Sequence, residues 1–142
     1  MYTPTRLAVC SALSLVSAAH ATWSIILLDA RTGELAIASA TCLTNFDLQA
    51  NASVVVVGRG AAAAQSFVDS TGQNRALIRD RLIAGSSPQA ILNELAVFDG
   101  GHQTRQYGIL DTQARAVTFT GSEAGAWAGG ITGSFDYTHA GL

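Results

Sequence analysis

The chain has 142 residues, of which 49% are apolar and 13% are charged, with ten acidic side chains against eight basic ones. This apolar content suffices for one hydrophobic core, so the chain is expected to fold as a single domain. The mild net acidity argues against nucleic acid and anionic membranes as partners, because both bind proteins through basic patches.

The first 21 residues have the three-part pattern of a secretion signal. Arg6 gives a basic start, residues 7–16 form an apolar run too short to span a bilayer, and Ala19-His20-Ala21 fits the small-x-small rule for cleavage. An uncleaved anchor or a buried N-terminal helix is the alternative. Cleavage predicts a secreted or periplasmic domain, residues 22–142, that starts at Thr22 and is no longer held at the membrane.

The domain opens with a predicted β-hairpin. Residues 23–28 are apolar and rich in β-branched and aromatic side chains, residues 29–33 supply turn chemistry, and residues 34–40 form a second strand. Residues 41–53 are polar and irregular. The all-valine run 54–57 lacks polar alternation, which predicts a strand covered on both faces within a layered sandwich.

A helical block follows a run of small residues. The alanines 61–64 favour a helix by composition, but their position after the valine run suits a tightly packed strand, and the strand is preferred. Residues 74–84 place their apolar side chains, Ile83 among them, on one helical face. Ser87 and Pro88 are an N-cap and a first helical residue, which predicts a second helix.

A second hairpin is predicted after the helices, from residues 105–111 and 115–121 with a short turn between them. Strands on both sides of a helical block indicate an α+β fold in which helices pack over sheets. The sequence contains no repeat and no linker that would divide the domain.

One cysteine, Cys42, would remain after signal cleavage, because Cys10 leaves with the signal. A single thiol cannot form an internal disulfide, so Cys42 is expected to be a small buried apolar side chain, with a nucleophilic role as the alternative. His102 and His139 have no paired ligand spacing. The sequence therefore predicts no metal site and no cofactor.

Five blocks of the chain resemble, in this order, those of the family called domain of unknown function 1028. They are TWSIILLDARTGELAIASA (22–40), GRGAAAAQS (58–66), LIAGSSPQAILNEL (82–95), RQYGILDTQARAVTFTG (105–121) and WAGGITG (127–133). The resemblance implies membership of the N-terminal-nucleophile (Ntn) hydrolase superfamily and a four-layer α-β-β-α sandwich. Family members typically continue further, so the sandwich is expected to be incomplete at the C-terminus. Homo-oligomerisation that would complete the layers stays open.

The resemblance also implies a role for Thr22 as catalytic nucleophile. Cleavage of the preceding peptide bond would give this residue both a hydroxyl and a free α-amine, whose unperturbed pKa of roughly 7.7 to 8.0 suits a base near neutral pH. The chain contains no lysine, unlike Ntn enzymes that place one beside the nucleophile. The plain alternative is that Thr22 merely follows a favourable cleavage site.

Further candidates are assigned by role only. Glycine allows a substrate to approach the backbone closely, amide and hydroxyl side chains can donate to an oxyanion, and arginine can supply positive charge. The candidates for these oxyanion or substrate contacts are Asn45, Gly60, Gln65, Ser66 and Arg105.

Two functions remain open at this point. The first is an exported amidohydrolase-like enzyme in which Thr22 attacks an amide or related acyl bond of a small molecule or peptide. The second is a catalytically silent Ntn-fold module that binds or scaffolds material in the cell envelope. The absence of lysine and of an evident acid–base pair favours the second.

Overall fold

The computed structural model describes residues 22–126 and 128–136. The predicted signal segment, Trp127 and His139 lie outside these residues. The described part is a mixed α/β fold with two antiparallel sheets and three helices. The strands are β1 (Thr22–Leu28), β2 (Leu35–Thr41), β3 (Ser53–Val56), β4 (Gly60–Ser66), β5 (Arg105–Asp111) and β6 (Ala116–Thr120); the helices are α1 (Leu48–Ala52), α2 (Gln73–Ile83) and α3 (Pro88–Phe98).

The two sheets pack face to face, as a sandwich requires. Strands β1 and β2 form a two-stranded hairpin sheet, and the larger sheet has the strand order β3-β4-β5-β6. The hairpin sheet packs against β4 and β5, while α2 and α3 contact the larger sheet. Within the described residues, the larger sheet therefore lies between helices and a second sheet.

The hydrophobic core lies between the larger sheet and the two long helices. Alternate residues of β4 and β5 face this core, because successive strand side chains point to opposite faces. The core comprises Val54, Ala62, Ala64, Ile78, Leu82, Ile91, Leu92, Leu95, Tyr107 and Ile109. The other face of β4 and β5 meets the hairpin sheet, where Gly108 lies close to Ile26.

The alanine run forms strand β4, as preferred from its position, and all four of its alanines are buried. The expectation that the valine run is covered on both faces was wrong. Val54 is buried, but Val55 and Val57 are exposed. The reason is that the hairpin sheet packs against β4 and β5 and not over the edge strand β3, so only one face of β3 meets the core.

Local signals predicted the two long helices well. Ser87 caps α3 by accepting a hydrogen bond from the Ala90 amide at 3.3 Å, and Pro88 is the first helical residue. In α2 the apolar face is narrower than predicted, because Ile83, its last residue, is exposed. Helix packing ends there, as the chain turns through Gly85 with φ of 80°.

Two short elements were not predicted. Helix α1 forms in the segment expected to be irregular, where Asp47 caps it by accepting from the Ala50 amide at 2.9 Å. A 3₁₀ turn, His102–Thr104, precedes β5. Elements of three to five residues contain too few side chains to show a hydrophobic period.

The outward face of the hairpin sheet is apolar and largely open. Trp23 is 60% exposed, and Ile25 and Leu27 lie on the same face of β1. The described residues therefore form no fourth layer over this sheet. Cys42, expected to be buried, is exposed just after β2. No helix in the described part of the chain is long and apolar enough to cross a membrane.

Candidate functional site

Thr22 begins β1, and its neighbour in the sheet is Thr41 at the end of β2. The Oγ1 atoms of the two threonines are 2.9 Å apart, a hydrogen-bond distance, and both residues are half-buried. Thr41 Oγ1 also accepts a hydrogen bond from the Leu43 amide at 3.3 Å. The hydroxyl of Thr22 is thus held by a second hydroxyl that is itself tied to the backbone.

Gln65 of β4 connects Thr22 to the larger sheet. Its Nε2 donates to the Thr22 carbonyl at 2.9 Å, and its Oε1 accepts from Ser24 Oγ at 2.6 Å. Ser24 Oγ in turn lies 2.7 Å from Ser39 Oγ on β2. These five residues, Thr22, Ser24, Ser39, Thr41 and Gln65, are called the Thr22 cluster below.

The Thr22 cluster results from strand alternation. Thr22 and Ser24 on β1, and their partners on β2, point inward toward the larger sheet. Further along the same inward face lie the apolar side chains of Ile26 and Leu28. The seam between the sheets is therefore polar where β1 begins and apolar toward the hairpin turn.

Ser66 and Arg105 lie next to the Thr22 cluster, facing one another at the end of the β4–β5 ladder. Ser66 has a φ of 73°, a left-handed conformation that is uncommon for serine, and its Oγ donates to the Ala124 carbonyl at 3.0 Å. Strained residues of this kind cluster at functional sites, although they also occur in turns. Through its hydrogen bond to Ala124, Ser66 ties the end of β4 to the loop that follows β6.

Arg105 belongs to a second polar group. It donates to both carboxylate oxygens of Asp99, at 2.8 and 3.3 Å, and to the Phe67 carbonyl. Asp99 also accepts from Asn74 at 2.6 Å and from the Tyr107 hydroxyl at 3.2 Å. The residues Asn74, Asp99, Arg105 and Tyr107 are called the Asp99 network below.

The charges of the Asp99 network are largely buried, since the Arg105 side chain is 16% exposed and that of Asp99 is 10% exposed. The hydrogen bond from Arg105 holds the pKa of Asp99 well below its usual value, and the same bond raises the pKa of Arg105. Burial raises the pKa of Tyr107, and the nearby Asp99 carboxylate adds to this. All these groups keep their ordinary charge near neutral pH, as expected of a structural ion pair.

His102 packs against the same network. Its ring stacks on Phe119 at a centroid distance of 4.1 Å and on Tyr107 at 5.7 Å. It is 7% exposed, and its Nδ1 has no hydrogen-bond partner among the described residues. Burial lowers the pKa of His102, so the imidazole is neutral at physiological pH.

Of the remaining two candidates, Gly60 lies apart from the Thr22 cluster. Gly60 is at the opposite end of β4 from Gln65, about 17 Å away for five strand residues. A Cβ at Gly60 would lie 2.5 Å from the Leu110 carbonyl oxygen, so this glycine permits close strand packing. Asn45 is exposed in the loop after β2, with a φ of 58°.

Two surface depressions also lie away from Thr22. One, of about 40 Å³, is lined by Arg59, Asp111 and Arg115 among others, where Gly60 faces Asp111 in the ladder. The other, of about 460 Å³, borders the turn of the first hairpin at Asp29 and Glu34. Both are at the far ends of the strands, and neither includes a residue of the Thr22 cluster.

Thr41 and Ser39 were missed by the sequence analysis, although the sequence contains a signal for them. The patterns Thr22-x-Ser24 and Ser39-x-Thr41 mirror one another about the hairpin turn. Antiparallel pairing around that turn places Ser24 opposite Ser39 and Thr22 opposite Thr41. Once the register is known, the four hydroxyls necessarily share one face.

The profile of a family described as "Family of unknown function (DUF1028)" matches residues 22–141. The chain belongs to the DUF1028 family. The resemblance of the five sequence blocks to this family is thereby confirmed. The match begins at Thr22, the residue after the predicted cleavage site. A comparison with curated proteins gave no significant match.

A solved structure from the DUF1028 family is similar to this chain. It is the crystal structure of protein SPO2555 from Silicibacter pomeroyi, with a TM-score of 0.62 and 26% sequence identity. The alignment covers 72% of this chain and 46% of the solved one, so this chain spans less than half of that protein's length. The similarity supports the mixed α/β architecture with two packed sheets.

Proposed function

We propose that this DUF1028 chain is an exported N-terminal-nucleophile hydrolase with a sandwich of the α-β-β-α type. In this proposal, removal of residues 1–21 exposes Thr22, which attacks an amide or related acyl bond of a small molecule or peptide. The observation that carries it is the position of Thr22: first residue of the first strand, with its hydroxyl and its carbonyl each held by a side-chain hydrogen bond.

The contacts of Thr22 also indicate which group must act as base. Its hydrogen-bonding side chains among the described residues are Thr41 and Gln65, and neither a hydroxyl nor an amide takes up a proton near neutral pH. The positive charge of Arg105, which lies next to the Thr22 cluster, is paired with the Asp99 carboxylate. The α-amine created by cleavage is therefore the proposed base, since its ordinary pKa lies close to neutral.

The proposed reaction has two steps. Thr22 Oγ1 attacks the acyl carbon while its proton passes to the α-amine and then to the departing nitrogen or oxygen, whose bond to the acyl carbon breaks. This leaves an ester on Thr22. A water molecule then attacks the ester and gives one proton to the amine. The amine passes this proton to Thr22 Oγ1 as the ester bond breaks, which releases the acid and restores the Thr22 hydroxyl. Gln65 holds the backbone of Thr22 in place through both steps.

The test begins with the exported protein. Intact mass and N-terminal sequencing establish whether the chain starts at Thr22; any other start contradicts the proposal, because the free amine would then be on another residue. The mature protein is next incubated with a β-lactone probe, which adds its whole mass when a hydroxyl opens the ring.

Thr22→Ala is expected to abolish probe addition and Thr22→Ser to retain part of it. Thr118→Ala, which changes a half-buried threonine on the edge strand β6, is the matched control and should label as the wild type does. Equal labelling of Thr22→Ala and wild type would disprove the nucleophile. Absence of labelling in a correctly cleaved wild type would favour the catalytically silent binding module instead.

A further inference from the structure

Thr41 contacts the proposed nucleophile but has no assigned role in the two-step reaction. Its Oγ1 accepts a hydrogen bond from the Leu43 amide at 3.3 Å and lies 2.9 Å from Thr22 Oγ1. A hydroxyl has one proton to donate and two lone pairs to accept with. With one lone pair engaged by the backbone, Thr41 still has its proton available for Thr22.

We propose that Thr41 is a positioning residue whose hydroxyl donates a hydrogen bond to Thr22 Oγ1 as that oxygen gains negative charge. The proposal rests on the proposed role of Thr22 as nucleophile. In the resting state either hydroxyl can be the donor, since both carry a proton. Once Thr22 has given its proton to the α-amine, its oxygen can only accept, so Thr41 must donate.

Because Thr22 Oγ1 gains negative charge during the attack, its hydrogen bond with Thr41 is stronger in the transition state than in the ground state. A hydrogen bond to a developing anion is shorter and roughly twice as strong as one between neutral groups. The Leu43 amide polarises the Thr41 hydroxyl further, because linked hydrogen bonds strengthen one another. An interaction that strengthens toward the transition state accelerates the chemical step, whereas a uniform one does not.

The geometry around Thr41 also keeps the two oxygens aligned. Thr22 and Thr41 are paired residues of the β1–β2 ladder, so their side chains stand next to one another on the inward face. Both residues are β-branched, which restricts their χ1 angles and therefore the positions of their Oγ1 atoms. The hairpin register thus presents Thr41 to Thr22 without help from the rest of the cluster.

The test uses the full mature chain starting at Thr22 and the same β-lactone probe. The rate of Thr22 acylation is measured by intact mass from pH 6 to pH 9 for wild type, Thr41→Val and Thr41→Ser. Valine keeps the shape and strand preference of threonine without its hydroxyl, and serine restores the hydroxyl. Thr118→Val on β6 is the control for the same substitution elsewhere.

Thr41→Val is expected to lower the acylation rate roughly tenfold to a hundredfold at every pH, the usual effect of losing a hydrogen bond to a charged group. The midpoint of the pH profile should not move, because it reports the α-amine and not the hydroxyl. Thr41→Ser should recover most of the rate, and Thr118→Val should match wild type.

Four results would overturn this role. A Thr41→Val rate equal to wild type would show that the contact has no effect on Thr22, and a shifted midpoint would show that Thr41 acts on the amine. If Thr41→Val does not fold, Thr41→Ala and Thr41→Ser replace it, and equal rates for these two would refute the role. If the wild type shows no Thr22-dependent acylation, the proposed function fails first and Thr41 with it.

Discussion

The Asp99 network and the Thr22 cluster are both built from polar side chains, but they differ in charge and in burial. The Asp99 network pairs a largely buried carboxylate with a guanidinium, and an amide and a phenol supply further hydrogen bonds. The Thr22 cluster contains four hydroxyls and one amide, all neutral and half-buried. A buried ion pair that loses one partner leaves an uncompensated charge, whereas a neutral hydroxyl does not.

This difference indicates separate roles for the two groups, which lie at the same end of the β4–β5 ladder. The Asp99 network links α2, α3 and β5, so its loss should reduce stability. The Thr22 cluster links β1 to β4 and surrounds the proposed nucleophile, so its loss should mainly reduce reactivity. Substitutions in each group test this separation.

The largest expected effect on stability is that of Asp99→Ala. Removal of the carboxylate leaves the Arg105 guanidinium buried without its partner, which typically lowers the free energy of unfolding by roughly 3 to 5 kcal/mol. Chemical denaturation measures this loss. Asp80→Ala, which removes the exposed ion pair with Arg79, is the control and should have little effect.

Acid denaturation should show the same contribution. The folded-state pKa of Asp99 is lowered, so its stabilising effect is complete above the unfolded pKa near 3.9 and is lost as the pH falls below that value. The difference between Asp99→Ala and wild type should therefore begin to shrink below about pH 4 and close only as the pH falls through the lowered folded-state pKa of Asp99. If the folded Asp99→Ala protein also acylates more slowly, the two regions are not separate.

Gln65→Leu is expected to have an intermediate effect on stability and a clear effect on reactivity. It removes the hydrogen bonds to the Thr22 carbonyl and to Ser24, which should lower the free energy of unfolding by roughly 1 to 3 kcal/mol. Thr22 loses its anchor to the larger sheet, so β-lactone acylation should slow roughly tenfold or more, as misplacement of a reacting group does.

Gln106→Leu is the matched comparison for this change. Gln106 faces Gln65 across the ladder and makes two hydrogen bonds of its own, to Thr120 and to the Gly129 carbonyl. Gln106→Leu should lose about as much stability as Gln65→Leu, while its acylation rate stays near that of wild type. Equal slowing in both variants would mean that reactivity depends on the ladder as a whole.

The smallest expected effect is that of His102→Phe. Phenylalanine keeps the stacking on Tyr107 and Phe119 and removes Nδ1, which has no hydrogen-bond partner in the described part of the chain. Stability at pH 7 should therefore be unchanged or higher by about 1 kcal/mol.

The pH dependence of stability gives a sharper readout for His102. Its folded-state pKa is lowered, so below about pH 6.5 the unfolded chain binds a proton that the folded chain does not. Wild type should therefore lose stability relative to His102→Phe as the pH falls from 6.5 to 5. A constant difference over this range would contradict the burial of a neutral imidazole.

Much of the fold could be predicted from local sequence, because the signals for its elements are themselves local. Ser87 and Pro88 mark the start of α3 through capping chemistry that involves only neighbouring residues. The exposure of Val55 could not be predicted in this way. It depends on which strands of the larger sheet the hairpin sheet covers, and that is decided by packing between distant segments.

The candidate site, like the fold, could be predicted only where its signals are local. The cleavage pattern before residue 22 pointed to Thr22, and the amide side chain suggested Gln65 as an oxyanion or substrate contact, but no local pattern assigned Gln65 the contacts that it makes. Gln65 holds the Thr22 carbonyl across 43 residues of chain, and Thr41 reaches the Thr22 hydroxyl across 19. The role suggested for Gly60 placed it near the same site, whereas the structure puts it at the other end of β4.

The sequence by itself indicated the type of most long elements, since periodicity and caps act over a few residues, and the family profile that it matches begins at Thr22. The tertiary structure decided which hydroxyls meet and which charges are buried together. Those contacts require a particular hairpin register and a particular stacking of two sheets, and neither follows from the preferences of residues that are neighbours in the chain.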